Sequence, residues 1–199
     1  MKRSALQRPA LADDRKGGAV LLAAGFGRRF GSDKRLHPFP DGRPMVLATA
    51  KLYRAAFDRL IVVIREDDPI AGLLGDYETL TCADATQGMG HTLAAGALAA
   101  RGWDYVFVAL ADMPWIRPET LGLLRDDITH RSSTAIVRPV YRGTPGHPVG
   151  FAARHIATLT RCQGDEGARS VVRRHLPDVV ELDVDDAGVL RDLDLPPPP

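Results

Sequence analysis

The sequence predicts a three-layer α/β fold, Rossmann-like, with a mostly parallel central sheet. Three observations carry that prediction. Near-continuous apolar runs recur at Ala19–Ala23, Leu60–Ile64 and Tyr105–Leu110, and strands apolar on both faces belong to sheets covered on both sides. Stretches with helical spacing lie between the runs, the alternation that builds parallel sheets through crossover helices. The first run stops abruptly at a glycine-rich, cationic loop, and open α/β sheets bind ligands beyond the carboxyl ends of their strands.

Residues 1–17 are polar, charged and poor in pattern, and read as a mobile extension. Residues 18–195 read as a single domain, since a chain of 199 residues is long enough for one full α/β core. Within it, Ala19–Ala23 is the first strand, expected near the sheet centre. Met45–Phe57, opened by Pro44, is a helix whose apolar positions are Val46, Leu47, Ala50 and Tyr53. Leu60–Ile64 is a strand and Thr79–Cys82 a short one. Gly90–Ala100 is a helix of small residues, suited to close packing or ligand approach. Tyr105–Leu110 is a buried strand, and Pro118–Ile128 a helix with proline in its first turn. Thr134–Tyr141 and Val149–Phe151 are strands, Gly167–His175 a helix, and Val179–Val184 a late strand. Pro196–Pro199 form at most a stiff extended tail.

Composition narrows the function. A formal charge of +1 offers no bulk attraction for nucleic acid or a membrane surface, so any anion site is local. The two cysteines, Cys82 and Cys162, lack the paired spacing of a zinc site or a disulfide framework, which suggests a reducing, cytoplasmic setting. No apolar run is long enough to span a bilayer. Lys2 and Arg3 are not followed by an apolar segment, so no secretory signal is predicted.

The densest chemistry lies between Leu21 and Lys34, which hold Gly25, Gly27 and Gly31 with Arg28, Arg29 and Lys34. Glycines let a backbone approach a ligand closely, and a curled loop aims its N–H groups inward as an anion cradle. Together they suit a triphosphate; an ordinary glycine-rich turn beside solvated arginines is the alternative. The stretch is not the dinucleotide fingerprint, because Phe30 stands where the third glycine belongs. Nor is it a P-loop, because Lys34 lies between Asp33 and Arg35.

A second candidate is Asp112, where Tyr105–Leu110 runs into Ala111-Asp112-Met113-Pro114. Magnesium takes one or two carboxylates plus substrate phosphates, and a carboxylate at a strand end suits it; capping a turn is the alternative. Gly88 and Gly90 precede a helix whose first N–H groups lack internal partners, and such an end holds phosphate or carbonyl oxygens. Thr92 can donate a hydroxyl to a base, while Asp84 accepts from a cytosine amino group or caps a turn. Gly143–Val149, with two glycines and two prolines, forms a rigid loop presenting His147. Asp165 is a good helix N-cap, and Arg169 binds phosphate or pairs with Asp165.

Leu21, Ala23 with Ala24, Gly25, Arg29, Gly31 and Lys34 resemble the opening Leu-x-Ala-Gly-x-x-x-Arg-x-Gly-x-x-Lys motif of the sugar-phosphate and cofactor nucleotidyltransferases. Asp112-Met113-Pro114 resembles their metal-binding loop. Gln87–Leu93 is similar to Glu-Gly-Met-Gly-x-Ser-Leu, with Gln87 for Glu and Thr92 for Ser. Gly143–Val149 is similar to Gly-x-x-Gly-His-Pro-Val, and Gly164–Arg169 to Gly-Asp-x-Gly-Ala-Arg. Arg191–Pro196 resembles the closing Asp-(Ile/Val)-Asp-Thr-Pro, with Leu195 replacing Thr. The motifs follow the family's order from Gly18 to Asp194. The Ala24 variant looks like the molybdenum cofactor cytidylyltransferases among the MobA-like NTP transferases; the guanylyl branch usually has a second glycine there.

The resemblance implies the nucleotidyltransferase version of the fold and an enzyme that moves CMP from CTP to the molybdenum pterin cofactor, releasing pyrophosphate, with Mg2+ or Mn2+. Arg29 is implied at the leaving phosphates, Lys34 at the α-phosphate and Asp112 at the metal, assisted by Asp194 or Asp192. Leu22, Ala23, Ala24, Gly25, Gly27, Asp84, Gly88, Gly90 and Thr92 would bind nucleotide, and His147, Asp165 and Arg169 the acceptor. CTP and the pterin cofactor are the implied substrates, with transient contact to a molybdoenzyme or its maturation chaperone, and no nucleic acid or membrane partner. Two other readings stay open. One is guanylyl or other NMP transfer to a different small phosphate. The other is a non-catalytic cofactor-binding or delivery protein, favoured by Leu195 and the missing acidic helix after Pro196.

Overall fold

The structure, a computed structural model, describes residues 16–26 and 32–193. Most of the predicted N-terminal extension, the proline tail and the candidates Gly27, Arg29 and Asp194 lie outside the described residues.

The described elements, in chain order, are β1 (Gly17–Leu22), α1 (Met45–Ala56), β2 (Arg59–Arg65), β3 (Glu78–Cys82), α2 (Met89–Ala99), β4 (Tyr105–Leu110), α3 (Pro118–Thr129), β5 (Ile136–Tyr141), β6 (Thr144–Pro145), β7 (Val149–Ala152), α4 (Ala153–Leu159), α5 (Arg169–Arg174) and β8 (Val179–Asp183). Short 3₁₀ turns at Lys34–Leu36, Ala71–Leu74, Ala83–Gln87, Leu176–Asp178 and Ala187–Leu190 join them. The strands form one sheet in the order β3-β2-β1-β4-β7-β5, with β6 and β8 both pairing β5. Strands β3, β2, β1 and β4 are parallel, as are β5 and β8; β7 runs antiparallel to β4 and β5.

β1 is buried along its whole length and lies between β2 and β4. Its alternate side chains feed two apolar layers, as strand geometry requires. Ala19 and Leu21 pack with Val46, Ala50 and Tyr53 of α1 and Leu121, Leu124 and Ile128 of α3. Val20 and Leu22 pack with Leu93 and Ala97 of α2, Ile156 and Leu159 of α4, and Val171 and Val172 of α5. The result is the three-layer, mostly parallel α/β sandwich that the apolar runs predict.

The chain builds outward from β1 to β2 and β3, then crosses back over the sheet through α2 to place β4 on the other side of β1. The carboxyl ends of β1 and β4 therefore flank a topological switch point, where open α/β sheets hold their ligands.

Several elements differ from expectation: β5 begins at Ile136, and the two-residue β6 lies in the expected Gly143–Val149 loop. The predicted Gly167–His175 helix begins at Arg169, because Gly167 adopts φ 54° and Ala168, not Asp165, stands at the helix N-cap position. α4 escapes the sequence pattern because its seven residues are too few to show a helical period.

Candidate functional site

The switch point opens into a cavity of about 420 Å³. Leu22, Ala23, Ala24 and Gly25 wall it from β1, and Leu110, Ala111 and Asp112 from β4. Two main-chain bonds hold these strand ends: Ala23 N–H donates to Val63 O at 2.9 Å and Ala111 N–H to Leu22 O at 3.2 Å. The buried Thr49 hydroxyl on α1 reaches Ala111 O at 3.0 Å and braces the turn that carries Asp112.

Lys34 enters from the far end of the glycine loop and puts Nζ 2.5 Å from Asp112 Oδ2, with both side chains 19% exposed. Two groups 78 residues apart thus meet on the cavity wall. The turn holding Lys34 is anchored by its neighbour Arg35, which is only 2% exposed. Arg35 donates through Nη1 to Ala23 O and Asp68 Oδ2, each at 2.6 Å, through Nη2 to Asp68 Oδ1 at 3.0 Å, and through Nε to Asp33 Oδ1 at 2.8 Å. Arg65 N–H and Ile70 N–H complete the shell of Asp68, at 3.1 and 3.2 Å. Burial opposes charge on Asp33 and Asp68, yet hydrogen bonds from Arg35 and its charge hold both carboxyls below the usual range. The guanidinium is likewise pushed up despite burial.

α2 meets the cavity at its N-terminal end. Gly88 and Thr92 line the cavity with Ala85, Thr86, Gln87 and Met89. Gly88 has φ 119°, and a Cβ there would lie 2.5 Å from Gly164 O, so the loop before α5 packs directly on it. Gly90 departs from its expected role. Its N–H donates to Gly164 O at 2.7 Å, and a Cβ would meet Gln163 O at 2.5 Å, so it seats that loop and does not line the cavity. Asp84 also lies outside the cavity lining; it is exposed and accepts from Gln87 Nε2 at 2.6 Å.

Asp165 reaches the cavity wall. Arg169 is exposed and makes no ion pair with Asp165. His147 sits where the strand antiparallel to β5 is interrupted between β6 and β7, a bulge that re-aims a side chain. Gly146 N–H to Pro139 O at 2.8 Å and His147 N–H to Val189 O at 2.9 Å pin this bulge. Burial pushes the His147 imidazole below its usual range; Asp112 and Asp192 pull upward, and Arg169 adds to the depression. His147 therefore lies within electrostatic reach of Asp112, and its buried Nδ1 has no partner among the described residues.

The closing segment returns to Asp112. Leu193 N–H donates to Asp112 O at 3.1 Å, and the Arg191 guanidinium stacks 4.0 Å over the Trp115 ring. Asp192, which lies between these two contacts, is thereby brought beside Asp112. Sequence reasoning missed Arg35 and the cavity residue Phe26. Arg35 has no local signature, since its main partner Asp68 is 33 residues away. Gln87 and Met89 do sit inside the motif around Gly88 and were legible there.

Chemically, the described residues offer the Lys34 ammonium, the Asp112 carboxylate beside the returning acidic segment, and a small-residue wall. That set suits an anionic, metal-chelated ligand.

Known proteins agree with this geometry. Purine catabolism protein PucB of Bacillus subtilis is 26% identical over 89% of this chain and 91% of that protein. Nicotine blue oxidoreductase of Paenarthrobacter nicotinovorans is 32% identical over 88% of this chain and 90% of its own. The crystal structure of Rv0371c from Mycobacterium tuberculosis superposes with a TM-score of 0.78 at 28% identity, covering 91% of this chain and 93% of that one; Rv0371c has also been crystallised in complex with manganese. The MobA-like NTP transferase domain family matches residues 19–179, so with its sheet, switch-point cavity and ordered motifs the chain belongs to that nucleotidyltransferase family.

Proposed function

We propose that this protein transfers CMP from CTP to the molybdenum pterin cofactor, forming the cytosine dinucleotide cofactor and pyrophosphate. The observation that carries the reading is the meeting of Lys34 and Asp112 across the ends of β1 and β4, beside a wall formed by Ala23, Ala24 and Gly25.

An acceptor phosphate oxygen bonds to the α-phosphorus while the bond from that phosphorus to the pyrophosphate oxygen breaks. Negative charge meets negative charge, so in-line positioning and charge neutralisation are the work to be done. Lys34 is held at the cavity wall by the rigid Arg35 turn, where its ammonium can neutralise charge at the α-phosphate. Arg29, outside the described residues, is assigned to the leaving phosphates. Asp112 fits a divalent ion: a cation, the Lys34 ammonium, already stands against its carboxylate, and the closing segment brings Asp192 near it; Asp194, outside the described residues, is assigned beside it. A bound Mg2+ or Mn2+ would supply Lewis-acid neutralisation of the triphosphate, and the manganese complex of Rv0371c supports that choice. His147, within electrostatic reach of Asp112, and Asp165, on the cavity wall, are assigned to the acceptor. Thr92, buried in the cavity lining with its hydroxyl turned to the Cys82 sulfur, is assigned to the base.

Ala24 is the basis for base choice. It is buried in the cavity wall, and its methyl fits a pyrimidine where a larger purine favours glycine. In competition at equal concentration, CTP is expected to give the dominant dinucleotide and GTP little, because a site built for one base edge leaves the other unpaired. The test measures pyrophosphate release from each of the four triphosphates, with and without the pterin cofactor. A guanine product in excess would overturn the cytidylyl assignment alone. Turnover of an electron donor with no pyrophosphate release would favour the oxidoreductase named among the relatives. Binding of the pterin cofactor without either reaction would favour a delivery protein.

A further inference from the structure

Away from the nucleotide cavity, three side chains converge where α4, the end of α5 and the start of β8 come together. His155 lies on α4 and is 1% exposed. His175 follows α5, and Asp178 closes the 3₁₀ turn before β8. One donor atom from each lies within 4.8 Å of the others, and among the described residues this is the one such grouping of His, Cys, Asp and Glu. His155 Nε2 is 3.4 Å from Asp178 Oδ2, and His175 Nδ1 is 3.7 Å from the same oxygen. The two imidazoles meet edge to face with centroids 4.7 Å apart. The Thr134 carbonyl oxygen lies 2.7 Å from His155 Nε2.

We propose that His155, His175 and Asp178 bind a divalent transition-metal ion at a site separate from the nucleotide cavity. Two nitrogens and a carboxylate oxygen are the donor set that suits zinc and its neighbours. Metal–ligand bonds of about 2.0–2.1 Å in a tetrahedron place donors about 3.3–3.4 Å apart. The 3.4 and 3.7 Å separations approach that spacing, so a small rotation of the partly buried His175 ring completes the triad. A carbonyl oxygen only accepts hydrogen bonds, so His155 Nε2 carries the proton shared with Thr134. The ion takes the place of that proton, which moves to Nδ1 of the same ring so that the imidazole stays neutral, and the Thr134 oxygen becomes a fourth donor or its near neighbour. Both imidazoles ligate only in the neutral form, so protons compete with the ion and binding weakens as pH falls.

The location gives the site a consequence for the cavity. α4 and α5 flank the loop carrying Gly164 and Asp165, which rests on Gly88 and Gly90. An ion joining His155 to His175 and Asp178 clips that segment at both ends, and a clip across a loop removes freedom that the loop otherwise retains.

The experiment uses the full chain carrying Asp112→Asn, which weakens ion binding in the nucleotide cavity. Zn2+ binding is measured by calorimetry and thermal unfolding, and Co2+ binding by visible absorption. One Zn2+ per chain, a raised melting temperature and an absorption band of low-coordinate Co2+ are expected. His175→Ala and Asp178→Asn, each added separately, are expected to weaken Zn2+ by about tenfold or more and to abolish the Co2+ band. Both residues are partly exposed, and melting without metal checks that each variant is folded; if one is not, the other decides. No saturable Zn2+ binding, or binding unmoved by the folded variant, overturns the proposal and leaves a hydrogen-bonded histidine–carboxylate cluster.

Discussion

Asp112→Asn and Lys34→Ala are each expected to lower nucleotidyl transfer by about a hundredfold or more, with little change in the folded structure. Removing a preorganised charge from a developing transition state costs about 3–4 kcal/mol. The asparagine keeps the shape of Asp112 and, through the unchanged backbone, the bonds from Leu193 N–H to Asp112 O and from neighbouring Ala111 N–H to Leu22 O. Because the Lys34–Asp112 pair is partly exposed, at 19% for each side chain, its loss takes little from stability. Steady-state pyrophosphate release, set beside a melting curve, separates the two effects. Near-normal rates in Asp112→Asn at ordinary magnesium concentrations would show that another residue holds the ion. Near-normal rates in Lys34→Ala would remove the cavity from the chemistry.

Arg35→Leu is expected to act on the opposite quantity, destabilising the fold by about 3–5 kcal/mol, the usual penalty for stripping one partner from a buried ion pair. Asp68 has a fully buried side chain, and without Arg35 its remaining cation is Arg65 Nε at 3.4 Å. Its carboxylate would be left mostly uncompensated. The sign of the pH dependence follows. Asp33 and Asp68 titrate below their unfolded values, so the stability they contribute is complete above about pH 4 and lost as pH falls through their folded values. Urea unfolding of wild type and Arg35→Leu at neutral and acidic pH checks this: the gap between them should narrow in acid. An unchanged midpoint at neutral pH would mean that Arg65 alone satisfies both carboxylates.

How much of this was legible in the sequence depended on whether the deciding interactions were local. β4 follows its expected span because six apolar residues bounded by Asp104 and the Ala111 turn leave no competing period. The cavity walls at Ala23, Ala24, Gly25, Gly88 and Asp112 were legible for the same reason: each is a residue type needed at a strand end or helix start. Gly90 was ambiguous in the sequence because a glycine before a helix admits either a ligand or another loop, and here the loop at Gly164 packs against it. Asp165 failed as an N-cap because the positive φ of Gly167 delays the helix until Arg169. Arg35 was passed over beside Lys34, since nothing in a row of charges shows which one finds a buried carboxylate far along the chain.

The contact between Lys34 and Asp112 bears on how the site fills. A triphosphate that takes the ammonium has to draw it from the carboxylate, and a divalent ion that takes the carboxylate has to displace the ammonium. When both arrive, each receives the group that the other releases, and the cost of parting the pair is met once. Ion and nucleotide are therefore expected to act as heterotropic ligands with positive coupling, each raising the affinity for the other by the same factor. Titrating CTP at several magnesium concentrations should show this reciprocity, and the coupling should shrink in Lys34→Ala, where no ammonium contests the carboxylate.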